Sequence, residues 1–181
     1  AKGSGNINIT SAVALSGTGA KLKSAAEALD TIHATTTATV TDTSYTVAQL
    51  KAINDKVGGA ITLSETNVNL TGSAADLKDA LAGSFTSAHT GVVKVTGTYD
   101  VTQLKAINAK TTGAIVLATP TANLSGLVAD VKAAFAGTVT TNTGTLTISD
   151  DASEDITATD ITTINDAITG AITITNAIDI N

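Results

Sequence analysis

Between Ser149 and Asp155 the chain reads SDDASED, and the carboxylates of Asp150, Asp151, Glu154 and Asp155 form its densest cluster of charge. Carboxylate oxygens are hard ligands, and several of them on one turn suit calcium. The same residues also suit a solvated turn that opens a helix, where acidic side chains meet the positive end of the helix dipole. The plainer reading is preferred, and calcium at these positions is the single cofactor the sequence offers.

Other chemistry is thinner. His33 and His89 are the only histidines, the chain has no cysteine, and neither histidine has a partner at metal-ligand spacing, so both read as loop residues that lead into strands. Serine and threonine hydroxyls are plentiful, yet none sits near a base and an orienting acid, and they read as helix caps and strand surface. No enzyme is expected. Lys23, Lys51, Lys78, Lys105 and Lys132 recur at matching places in the pattern and could face a polyanion. With a net charge of −6 and a pI near 4.6, solvated helix faces are the better reading, and nucleic acid is not an expected partner. No apolar run approaches the roughly 20 residues of a membrane span, so membrane insertion is not expected either.

The elements that must position these residues are repetitive. A small residue followed by alternating apolar positions recurs as GNINI, TATV, GAITL, GVVKV, GAIVL, GTLTI and GAITI, in rungs that start near residues 5, 36, 59, 91, 113, 144 and 170. The apolar members, such as Ile61 with Leu63 and Ile115 with Leu117, share a period of two, which buries one face of a strand. Threonine is about a fifth of all residues and aromatics are 2%, a composition suited to pleated surface and a core of small and branched side chains.

Long rungs alternate with short ones. The long rungs add a second strand, in VALSG, VNLTG and ANLSG, before a helix that carries Leu22, Leu77 or Val131. Short rungs pass straight into a helix, and Thr46 with Gln49, Asp100 with Gln103 and Thr157 with Asp160 have the spacing of capping boxes. The predicted fold is α/β: a repeat solenoid of stacked parallel strands with short covering helices, residues 1–4 a foreign or disordered lead-in and 5–181 a single elongated domain. Parallel strands stack about 4.8 Å apart and helices need about 8 to 10 Å, so the helices are expected to divide between two positions, with like helices two strand steps apart.

The LKAIN helices, the GAIxL strands and the threonine-rich, cysteine-free, acidic composition resemble the repeat arrays of very large secreted or surface proteins of cyanobacteria and other marine bacteria, over almost the whole chain. That resemblance implies surface layers, adhesins or filament components, often exported by type I secretion, and hence an extracellular or cell-surface location. The glycine-aspartate nonapeptide that binds calcium in companion repeats of such proteins is missing. The expected function is a non-catalytic structural or adhesive segment of a larger bacterial protein. The alternative is a module for surface glycan or ice that uses outward rows such as Thr39, Thr62, Thr147 and Thr173, broken at Asn8, Lys94 and Val116. Neither end has a visible polar cap over NINIT or AIDIN, so self-association or neighbouring repeats through the terminal strand edges are the expected partners.

Overall fold

Short helices form wherever an oxygen-bearing side chain precedes an apolar stripe. The computed structural model describes residues 6–151 and 155–175. Its helices are α1 (Gly19–Ala28), α2 (Val47–Asn54), α3 (Ala74–Leu81), α4 (Val101–Asn108), α5 (Val128–Ala134) and α6 (Ala158–Ala167). At α2, α4 and α6 both bonds of the capping box are made, with Thr46, Asp100 and Thr157 accepting from the backbone of Gln49, Gln103 and Asp160. Those bonds satisfy amide donors that the first turn would otherwise leave open. Val47, Leu50 and Ile53, and likewise Val101, Leu104 and Ile107, then line the buried face.

The strands are β1 (Ala14–Gly17), β2 (Thr37–Val40), β3 (Ile61–Leu63), β4 (Leu70–Ser73), β5 (Val93–Thr96), β6 (Ile115–Leu117), β7 (Leu124–Gly126), β8 (Leu146–Ile148) and β9 (Ile172–Ile174). All are paired in parallel, in three sheets of order β1-β2-β3, β4-β5-β6 and β7-β8-β9. The inward positions run in register, as in Leu70, Val93 and Ile115 or Leu124, Leu146 and Ile172. One apolar cluster runs from Leu22 to Ile168 through all of them. Each fully buried Ile, Leu or Val in it contributes about 1.5 to 3 kcal/mol.

Two expectations are corrected here. The strands do not form one ladder of seven rungs but three separate sheets, and the GNINI rung is reduced to a bridge from Asn8 to Thr31, with Ile7 left 53% exposed. The helices do not divide between two positions, because each packs on the next, α1 on α2 through to α5 on α6. Helix starts are 27 to 30 residues apart, whereas paired strands are mostly 22 or 23 residues apart. Helices that pack consecutively need about twice the strand step and cannot keep pace with a single ladder. The chain resolves this after every second strand step: it runs forward through residues 64–69, or 118–123, and starts a new sheet.

Glycine makes the close approaches possible. A Cβ at Gly126 would come within 3.3 Å of Val101, the first residue of α4, which lies against the opening strand of the next sheet; Gly72 stands in the same place against Val47 at ordinary contact distance. At the strand starts the contact is tighter, and a Cβ on Gly113 would collide with the Gly91 carbonyl. The glycines that precede the later apolar pairs, Gly59, Gly91, Gly113, Gly144 and Gly170, are therefore a requirement of stacking.

Candidate functional site

Asp150 is drawn inward rather than toward its acidic neighbours. It is 7% exposed, and its Oδ2 accepts the Val128 backbone N–H at 2.8 Å. Helix α5 starts after Leu127, which makes no side-chain cap, so a carboxylate 22 residues further along the chain supplies the missing acceptor. Asp42 does the same for α1, accepting from Gly19 N–H at 3.0 Å. Asp151 and Asp155 are exposed, Glu154 lies outside the described residues, and among the described residues no three acidic or histidine side chains converge on a metal position. The structure thus gives one member of the calcium candidate a helix-capping task.

The lysine column is a ladder between helices. Lys51 on α2 reaches Asp76 and Asp79 on α3 at 2.9 and 3.0 Å, Lys105 on α4 reaches Asp130 on α5, and Lys132 on α5 reaches Asp160 on α6. Each partner at the third helical position is acidic. Where that position holds Gln49 or Gln103, already used in a capping box, the preceding lysine turns to its own helix, Lys23 to Glu27 and Lys78 to Asp79. Hydrogen bonds to the two aspartates hold the Lys51 ammonium well above its usual range, and Lys132 together with Thr157 holds Asp160 down at about 2. Asn54 and Asn108 add a second rail, donating to the carbonyls of Asp79 and Ala133 at 2.8 and 2.7 Å.

The buried polar chemistry gathers at the two forward connections, which have matching designs. At residues 64–69 the Tyr45 phenol donates to the Glu65 carbonyl at 2.6 Å, and His89 Nε2 donates to the Val68 carbonyl at 2.8 Å. At residues 118–123 Asn142 Nδ2 donates to the Ala122 carbonyl at 2.9 Å, and the Tyr99 phenol donates to Asn142 Oδ1 at 2.6 Å. Burial pushes Tyr45 up to about 12, with Asp42 and Glu65 adding to it, and burial also raises Tyr99. For His89 burial works the other way and lowers the ring's affinity for a proton, against the opposing pull of the Val68 carbonyl.

His89 lies in the segment that leads into β5, as its sequence context indicated, and is buried there, while His33 stays partly exposed beside Thr35. Asn142, Tyr45 and Tyr99 drew no attention in the sequence. The signal was there: the tyrosines follow equivalent strands, β2 and β5, and Asn142 precedes β8 by the interval at which His89 precedes β5.

The outward strand positions bring hydroxyls into register as Ser16, Thr39 and Thr62 in the first sheet and Ser125, Thr147 and Thr173 in the third. Thr86 extends the first row with a hydroxyl bond to Thr62 at 3.3 Å. The middle sheet has Thr71, Lys94 and Val116 in the same place. An open groove of about 550 Å³ lies over α2, and four of its five charged lining residues are paired with one another, Lys23 with Glu27 and Lys51 with Asp76, Asp55 being the fifth. Compared with protein-family models, curated proteins and solved structures, the chain matches none of them.

Proposed function

We propose that this chain is a non-catalytic structural and adhesive segment of a larger bacterial surface or secreted protein, built as a solenoid of stacked parallel strands under short helices. The observation that carries the reading is where the polar side chains go. Lys51 to Asp76, Asn108 to Ala133, His89 to Val68, Asn142 to Ala122 and Asp150 to Val128 all span 20 to 25 residues, from one repeat to the next. Side chains spent on joining repeats make a spacer or lattice element, in which each unit is stabilised by its neighbours. The even spread of such bonds supports the reading.

Strands β1 and β9 stand at the outer edges of the first and third sheets, and unpaired edges are templates for parallel pairing with further repeats or a second chain. The AIDIN stretch at the far end of the sequence lies outside the described residues. With a net charge of −6 opposing contact, association is weak and promoted by salt. Sedimentation velocity at rising concentration and salt tests it: larger species that grow with both support end-to-end assembly, and a strictly monomeric boundary throughout overturns it.

A second reading rests on the hydroxyl rows of the first and third sheets, which would suit surface glycan or ice. Binding on a glycan array, or thermal hysteresis lost on Thr39→Val with Thr62→Val, favours this reading, and silence in both assays removes it.

A further inference from the structure

His89 sits where the first sheet hands over to the second, buried among neutral groups with no charged side chain hydrogen-bonded to its ring. Its Nε2 carries the hydrogen, because the partner at 2.8 Å is the Val68 carbonyl, which can only accept. The backbone of His89 is bound on the other side, its N–H to the Lys110 carbonyl at 3.2 Å and its carbonyl accepting from Thr112 N–H at 2.8 Å. Nδ1 faces the Thr111 hydroxyl at 3.5 Å. That hydroxyl gives its one hydrogen to the His89 carbonyl at 2.9 Å and already accepts from Gly113 N–H at 3.0 Å. A proton arriving at Nδ1 thus finds one neutral acceptor, the remaining lone pair of that hydroxyl at a long 3.5 Å, in a place that is 2% exposed.

No counter-charge is set against it. Glu65, on the connection that His89 clamps, and Lys110, on the segment beyond it, are both exposed, as is Lys94 on β5. The Tyr45 phenol on the near side is held neutral, pushed up to about 12. A buried imidazolium without a partner is costly, and the chain relieves it by letting the ring out to water.

We propose that the connection between the first and second sheets is a proton-sensitive latch: His89 in its neutral form ties residues 64–69 to the next two repeats and releases them when the ring takes up a second proton. The equivalent connection at 118–123 is tied by Asn142 and Tyr99, neither of which gains a proton in mild acid. Acid therefore loosens the molecule at one connection and not at its counterpart. Burial acts in the same direction, lowering the proton affinity of His89 below the ordinary histidine value of 6.5. Stability from the neutral ring is complete above that value and is lost as pH falls below it, by up to about tenfold in the opening equilibrium per pH unit.

The test is amide hydrogen exchange between pH 7.5 and 5, read as protection factors so that the intrinsic pH dependence of exchange cancels. The amides of Gly91, Val92 and Thr112 report on the first connection, and those of Thr143 and Thr145 on the second. Protection should fall about tenfold or more at the first set between pH 6.5 and 5 while the second set holds. His89→Asn, which copies the arrangement at Asn142, should abolish that fall, and His33→Asn should leave it in place. Ring carbon shifts of the intact protein supply a check that needs no variant: His89 should titrate below the ordinary histidine value of 6.5, in step with the loss of protection. Equal losses at both connections, a pH response that survives His89→Asn, or a His89 ring that titrates at or above 6.5 while protection is unchanged would overturn the latch.

Discussion

The two forward connections share a plan and differ in their chemistry. At 118–123 one amide, Asn142, accepts from Tyr99 and donates to Ala122, so the tyrosine of one repeat and the carbonyl of another meet on the same side chain. At 64–69 the tasks are divided: Tyr45 bonds the Glu65 carbonyl, His89 bonds the Val68 carbonyl, and no bond joins the two side chains among those described. A linked set is lost as a unit, whereas divided bonds fail one at a time. A repeat architecture can thus keep its geometry at each step and set the strength of each step separately.

Variants that break or sharpen this comparison span a wide range of effect. The largest disables both connections together. Ile115 is 1% exposed on β6, paired with Val93 on one side and bridged to Val139 on the other. Ile115→Asp buries a charge with no partner and should cost about 4 kcal/mol or more, enough that a thermal melt finds little folded protein. A melting temperature equal to wild type would contradict the inward assignment of that strand.

Asn142→Ala comes next. It removes three bonds, to Tyr99, Ala122 and Gly144, leaves the Thr119 carbonyl at 3.4 Å as the acceptor for the Tyr99 phenol, and takes the amide donor from the Ala122 carbonyl. The expected loss is about 2 to 4 kcal/mol in urea unfolding. Paired against it, Tyr45→Phe should cost about 1 kcal/mol, since one bond to a carbonyl is lost, and Tyr99→Phe about 2 kcal/mol, since a buried amide oxygen is orphaned as well. If the two tyrosine variants are equally destabilised, the distinction between linked and divided bonds fails.

How much of this could be read in advance depends on how far the cause lies from its effect along the chain. The capping boxes were legible because both partners sit within four residues, and Thr46, Asp100 and Thr157 make the bonds their spacing implies. The second strands of the long rungs, β1, β4 and β7, stood out by alternation, and Leu22, Leu77 and Val131 are buried at their matching helix positions. The partition into three sheets was not legible, because it follows from a mismatch between strand and helix spacing that each segment carries only in part. The bond that Asp150 makes was not legible for a related reason: its partner is 22 residues earlier, and its acidic neighbours form the more conspicuous local pattern. His89 reads as a loop residue until the carbonyl of Val68 and the hydroxyl of Thr111 close around it.

The smallest effects belong to the exposed ladder. Lys132→Met removes the partner of Asp160 and should cost no more than about 0.5 kcal/mol, less at high salt, as for other surface ion pairs. Asp160 is held at about 2 when folded, so what the pair contributes is present above the ordinary carboxylate value and is lost as pH falls toward 2. Acid melts of wild type and Lys132→Met should therefore converge only as pH falls to about 2, and curves that stay separated there would show that the lysine acts by packing.

The central claim is that each repeat is held by its neighbours through the polar bonds that cross between them. Residue-resolved hydrogen exchange on Asn142→Ala at neutral pH tests it most directly. Protection should collapse in the third sheet, at Leu146 to Ile148 and Ile172 to Ile174, while Ala38 to Val40 and Ile61 to Leu63 in the first sheet keep theirs. A uniform loss across all three sheets would contradict the claim and make the chain one indivisible cooperative unit.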